Sequence, residues 1–206
     1  MLLYEMAITP SAKRVNLFLA EKGLEIPRKE INVRAGENLK SPFCDLGITG
    51  KIPLLQLDDG TVIEESVAIC RYLDQLYPDD LALFGRGPLE QAQVEMWQRI
   101  VEQRGLEMAA QAFRHLSGVY RDRENCVADW GTEAKLRLEQ FLPKLDWRLS
   151  QTLHVAGEHF SIADITALAL WSMLARLDLN DTPYPHLSAW AARLQQRPAV
   201  RAIMSS

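Results

Sequence analysis

The sequence predicts a mixed α/β domain followed by an all-helical one, on three observations. Short apolar runs alternate with helical periodicity over residues 1–78. The chain then turns to Pro, Asp and Gly in YPDDLALFGRGP, which contains a linker over residues 79–88. Everything after it, residues 89–206, has the period of helices. A chain of 206 residues is long for one small domain and comfortable for two.

In the first part, Leu2 to Tyr4 is a short apolar strand broken by Thr9-Pro10-Ser11. Val15, Leu17, Phe18 and Leu19 then carry a helix that ends at Lys22-Gly23, a cation followed by a terminating glycine. Glu30 to Val33 reads as a second strand. Ile52 to Leu57 is a third, joined through the turn Asp58-Asp59-Gly60 to a fourth at Thr61 to Ile63. Ser66 opens a helix with Val67, Ile69, Tyr72, Leu73 and Leu76 on its apolar side. The order is β-α-β-(α)-β-β-α, and a right-handed crossover followed by a hairpin gives a mixed four-stranded sheet.

The second part should hold a long helix from Leu89 to about Ser117 and another from about Gly131 to Ser150. Ser161 and Asp164 have the spacing of an N-terminal capping arrangement, with Asp in the place of Glu or Gln. The helix they open is apolar on nearly every side through Leu177, which predicts the centre of its domain. A shorter amphipathic helix runs from Leu187 to Gln196.

With 48% apolar and 24% charged residues the composition is that of an ordinary globular protein. A formal charge of −4 with scattered Lys and Arg argues against nucleic-acid or polybasic membrane partners, which need a positive field. No apolar run has signal-peptide or bilayer-spanning length. Cys44, Cys70 and Cys126 are odd in number and far apart, and with four scattered histidines they make no metal spacing. A cytoplasmic location and no metal are the expectations.

Three segments carry chemistry. In Gly50-Lys51-Ile52-Pro53 the Ile-Pro bond can be cis, leaving the Ile52 backbone groups to pair with a bound peptide; alternatively Pro53 only starts a strand. In Glu64-Glu65-Ser66, a helix N-terminus at Ser66 favours a carboxylate and Glu65 can accept from an ammonium group, or Ser66 is a plain cap. In Thr9-Pro10-Ser11, the hydroxyls stand where a helix N-terminus lowers the pKa of a nearby thiol, or one of them caps the helix. Tyr4, on the first strand, belongs to the core.

VNLFLAEKGLEI, GKIPLLQLDDG, ESVAICRYL and SIADITALAL, taken in this order over essentially the whole chain, resemble the glutathione transferase superfamily. Bacterial and fungal members with GENL or GEHK before the proline loop are nearest in look. The resemblance implies a thioredoxin-like first domain, an all-helical second domain, glutathione as co-substrate, a small apolar electrophile as second substrate, and a homodimer active in detoxification. It implies that Ile52 and Pro53 present the cysteinyl backbone site and that Glu65 and Ser66 hold the γ-glutamyl end. Lys51, with Asn38 or Lys40, would reach the glycyl carboxylate. Asp164 matches a buried structural capping residue. The departure is at Thr9, where relatives carry Ser or Cys. Ser11 is the nearest substitute, and His115 would serve where a second-domain histidine holds a water. Without that activating side chain, the alternative is a non-catalytic interaction protein of the stringent-starvation type, which binds RNA polymerase.

Overall fold

The computed structural model describes residues 1–179 and 183–204. The chain divides into two compact units. One comprises Met1–Leu81 with the C-terminal segment from Ala199, and the other Ala82–Pro198.

The first unit is built on strands β1 (Leu2–Glu5), β2 (Arg28–Glu30), β3 (Leu54–Gln56) and β4 (Val62–Glu64), in spatial order β2-β1-β3-β4. β1 and β2 are parallel; β3 runs antiparallel to β1 and to β4. The second strand thus lies earlier than the sequence reading placed it, in the charged run Arg28–Glu30. Pairing with β1, rather than apolarity, defines this exposed edge. Helix α1 (Pro10–Lys22) follows β1 and α2 (Ser66–Leu76) follows β4.

Alternation along the strands sorts two faces. Tyr4 and Leu54, paired across β1 and β3, meet Ile31 and Phe43 in one cluster, with the Tyr4 and Phe43 rings 5.7 Å apart. Leu3 and Glu5 point the other way, and Glu5 accepts from the Asn16 side chain of α1 at 2.7 Å. The bracketed helix between the second and third strands is realised as one 3₁₀ turn, Glu37–Leu39, followed by a run of turns. Gly36 at φ 72° and Pro42 interrupt any longer helix, and Phe43 supplies the packing a helix would have given.

α1 ends as its sequence predicts, with Gly23 at φ 63° and the Leu24 N–H returning to the Leu19 carbonyl at 2.9 Å. Lys22, its side chain 1% exposed, pairs with Asp74 of α2 at 2.8 Å and with Asp79 at 2.9 Å. The C-terminal half of α1 is thereby tied to that of α2.

In the second unit the predicted long helix is α3 (Pro88–Val101) and α4 (Glu107–Ser117), joined without a break by a π-helical turn, Glu102–Leu106. α5 spans Ala128–Gln151, α6 Ile162–Leu174 and α7 Pro185–Leu194, while the terminal helix α8, Pro198–Met204, belongs to the first unit from Ala199 onward. α8 lies beyond the helices the sequence reading assigned. α6 is buried along nearly its whole length and approaches the π turn so closely that a Cβ on Gly105 would stand 2.6 Å from Leu170 Cδ2.

Asp164, fully buried at the start of α6, gathers four donors. Its Oδ1 accepts from the Val155 N–H at 3.0 Å and the Trp190 indole N–H at 2.9 Å. Its Oδ2 accepts from the Ser161 N–H at 3.0 Å and the Ser161 hydroxyl at 3.2 Å. Removing one carboxylate strands donors from three residues, and each buried unsatisfied group costs about 1–3 kcal/mol. Asp164→Ala should therefore lower stability by roughly 3 kcal/mol or more, read from the urea unfolding midpoint.

Candidate functional site

The strand register decides where the three chemical segments meet. Leu54, the first residue of β3, stands beside Tyr4 near the end of β1 and beside Glu64 at the end of β4. The approach to β3 and the departures from β1 and β4 therefore lie at one edge of the sheet. Ile52-Pro53 precedes β3, Thr9 to Ser11 follows β1, and Glu65-Ser66 follows β4. Because β1 and β4 run the same way, the helices that follow them both begin at this edge. Their positive ends converge there, where the partial charge of unpaired N–H groups favours an anion.

At the start of α2, Ser66 is 2% exposed and its hydroxyl has no hydrogen-bond partner among the described residues. A buried unpaired hydroxyl is costly, so this group is poised for a partner the chain does not supply. Glu65 before it is exposed and sits at φ 68°, ψ 116°. That backbone region is unfavourable for a residue with a Cβ, costing of order 1–3 kcal/mol, and such outliers collect at functional positions.

The Ile52–Pro53 peptide is cis. Ile52 packs its side chain against the Tyr4–Phe43 cluster, and among the described residues its backbone N–H and C=O make no hydrogen bond. They are open to an extended peptide in the manner of a strand edge.

The loop leading to Ile52 is held by Glu64, a residue the sequence reading gave no task. Its carboxylate accepts from the N–H of Ile48 and of Thr49, each at 3.0 Å, and from the Thr49 hydroxyl at 2.6 Å. Gly47 lets the carboxylate come this close, since a Cβ there would stand 2.7 Å from Glu64 Oε1. Burial would raise the Glu64 pKa. The Thr49 hydroxyl, the two N–H groups and the nearby Lys51 ammonium outweigh it and hold the carboxyl below the usual range. Asn38 also serves the loop, its amide donating to the Gly50 carbonyl at 2.8 Å. That commits one of its donors to holding Gly50, while Lys40 and Lys51 are exposed.

The residues considered for activation fare differently. The Thr9 hydroxyl donates to the Met6 carbonyl at 2.8 Å and accepts from the Ala12 N–H at 3.4 Å, which is a helix-capping arrangement. Ser11, half-buried in the first turn of α1, makes no hydrogen bond to another described residue through its hydroxyl. His115 lies in the helical unit with both ring nitrogens engaged. Its Nδ1 accepts from the Val127 N–H at 2.9 Å, so the proton sits on Nε2, 3.1 Å from Gln111 Oε1. Gln111 Oε1 also accepts from the Trp130 indole at 3.2 Å. The ring is thus occupied in fixing the segment between α4 and α5. Tyr4 is buried and its hydroxyl donates to Gln56 at 3.1 Å.

No group of three His, Cys, Asp or Glu among the described residues is arranged to hold a metal. No helix among them is long and apolar enough to cross a membrane.

A family model described as the N-terminal domain of glutathione S-transferase matches residues 9–76, and one described as its C-terminal domain matches residues 108–198. Glutathione S-transferase 2 of Saccharomyces cerevisiae is 31% identical, the match covering 99% of this chain and 89% of the relative. A Gtt2-class glutathione S-transferase structure from Vibrio parahaemolyticus is 49% identical with a TM-score of 0.86, covering 98% of this chain and 96% of that one. Gtt2 of Saccharomyces cerevisiae superposes with a TM-score of 0.93 at 32% identity, over 98% of this chain and all of that one. The chain belongs to the glutathione S-transferase family. It is with that a member of an enzyme family whose two domain types, a mixed sheet with helices and a helical bundle, correspond to its two units. The N-terminal family model spans every site residue of the first unit, from Thr9 to Ser66, and the C-terminal model spans His115, Ser161 and Asp164.

In this glutathione S-transferase the loop clamp at Glu64 has a pH signature. Its folded pKa lies below the ordinary 4.5, so its contribution to stability is present above that value and is lost as pH falls through the lower folded one. Glu64→Gln should be less stable than the parent at neutral pH. The gap should close progressively below pH 4.5, measured by thermal unfolding at a series of pH values.

Proposed function

We propose that the chain binds glutathione along the sheet edge and transfers its thiolate to a small, apolar electrophile. The observation that carries this reading is the Ser66 hydroxyl, buried and unpartnered at the first position of α2. The γ-glutamyl carboxylate supplies the missing acceptor and meets the free N–H groups of that helix end. Glu65, held beside it at positive φ, accepts from the ammonium of the same residue. The unpaired N–H and C=O of Ile52, which precedes the cis bond to Pro53, pair with the cysteinyl backbone. Lys51 and Lys40 attract the glycyl carboxylate, and Asn38 fixes the loop from which Lys51 projects.

The chemistry asked of the protein is modest. Lowering a thiol pKa by about two units requires about 2.7 kcal/mol of preferential stabilisation of the thiolate. A helix end and one or two directed donors are of that size. The same reading carries a cytoplasmic homodimer in detoxification, with light scattering as the check on its mass. The non-catalytic interaction reading has no support from the relatives described above, and an unpartnered buried Ser66 hydroxyl has no use in a pure scaffold.

The double substitution Glu65→Ala/Ser66→Ala removes two charge-assisted contacts of about 1.5–3 kcal/mol each, though such losses are rarely additive. Glutathione affinity should fall by about a hundredfold or more, and retention on immobilised glutathione should be lost. Unchanged retention would overturn the site assignment.

A further inference from the structure

Glu64 reaches the candidate ligand site by two routes, one along the chain and one through hydrogen bonds. Along the chain it is the last residue of β4, directly before Glu65 and Ser66. Through hydrogen bonds it reaches Ile52. The peptide unit that joins Gly50 to Lys51 is held from both sides: its carbonyl accepts from the Asn38 amide at 2.8 Å, and its N–H donates to Thr49 Oγ1 at 3.2 Å. The Thr49 hydroxyl directs its own proton to Glu64 Oε1 at 2.6 Å. A peptide unit is planar, so fixing both of its polar groups fixes its orientation.

The next peptide unit carries the Ile52 N–H. Two residues beyond Ile52 the chain is pinned again, where Leu54 pairs with Tyr4 and with Glu64 itself. Ile52 is thus held on both sides, and one of the two holds runs through Thr49 to Glu64. The run Glu64-Glu65-Ser66 therefore presents one end of the peptide site and, through its first side chain, fixes the other.

We propose that Glu64 and Thr49 are positioning residues for glutathione: the carboxylate, acting through the Thr49 hydroxyl, sets the spacing between the start of α2 and the Ile52 backbone to fit the γ-glutamyl-cysteinyl segment. This rests on the glutathione reading above and adds to it the residues that space its two contact points. Neither side chain is assigned a ligand contact of its own. Both contact points meet the peptide backbone rather than the reacting sulfur, so weakening them costs the bound substrate and the transition state alike. The signature is a raised KM at unchanged kcat.

Gly47 offers a second handle on the same device. A Cβ there would stand 2.7 Å from Glu64 Oε1 and 2.8 Å from its carboxyl carbon. Gly47→Ala therefore drives the carboxylate off its donors while leaving Thr49 and Glu64 in place.

The test combines calorimetric titration with glutathione and steady-state turnover of chlorodinitrobenzene, in the parent chain and in Thr49→Val, Thr49→Ser and Gly47→Ala. Thr49→Val keeps the branched shape and removes the hydroxyl. It should raise the glutathione Kd and KM about tenfold, with kcat at saturating glutathione within about twofold. Thr49→Ser keeps the hydroxyl and should stay within about twofold of the parent throughout. Gly47→Ala should raise Kd and KM at least as far as Thr49→Val does. Thr49 is exposed, so its variants keep the fold, which thermal unfolding verifies. Parent-like glutathione affinity in Thr49→Val overturns the proposal. So does a Thr49→Ser chain as weak as Thr49→Val, or a loss that falls on kcat instead of KM. In each of those outcomes the parent still binds glutathione; a parent that fails to bind it overturns the underlying reading as well.

Discussion

Tyr4, Leu54 and Glu64 stand in one row across β1, β3 and β4, and the polar groups of the first unit are arranged from that row. Two strands that end there must each turn into a helix, and the strand between them must begin there. The geometry leaves no other place for the N–H groups of both helix starts to point. An anion-seeking edge is therefore a property of the topology, before any side chain is chosen. Side chains then specialise it: Ser66 and Glu65 at one helix start, Thr9 and Ser11 at the other, and the open backbone of Ile52 between them.

The two helices keep their relation through a tie at the far end. Lys22 gives up nearly all contact with water to sit between Asp74 and Asp79. A buried cation left without acids would be severely penalised, so the pairing resists sliding of α1 against α2. In the second unit the corresponding fixed point is Asp164, whose four accepted hydrogen bonds join the start of α6 to Val155 and to Trp190 of α7. Both devices place a charge inside and satisfy it fully, and both hold elements that lie far apart in sequence.

What could be read from the residues alone divides along the range of the interactions. The hairpin at Asp58 to Gly60, the Lys22-Gly23 stop, the capping spacing of Ser161 and Asp164 and the apolar girth of α6 are local signals, and the structure has each of them. The Glu65-Ser66 pair and the Ile-Pro turn were visible as patterns, although their meeting at one edge needed the strand register. The misses share a cause. Whether the Thr9 proton turns to Met6 or outward depends on the backbone three residues before it. The occupation of His115 depends on Val127, twelve residues on, and that of Asn38 on Gly50. The sequence shows no task for Glu64 because nothing local says that Gly47 leaves room for Ile48 and Thr49 to reach it. The π turn before α4 likewise reflects how closely Gly105 meets Leu170.

The Glu64 clamp has a consequence that reaches beyond stability. The carboxylate organises the loop whose end presents Ile52, yet it bonds only to the protein. A ligand that needs the loop in this shape and a proton on Glu64 are therefore antagonists that never meet. Linkage makes the antagonism mutual: acid loosens the ligand's hold, and a bound ligand makes the carboxyl harder to protonate, by the same factor. A residue that touches no ligand thus becomes a heterotropic effector site for the smallest effector available, the hydrogen ion.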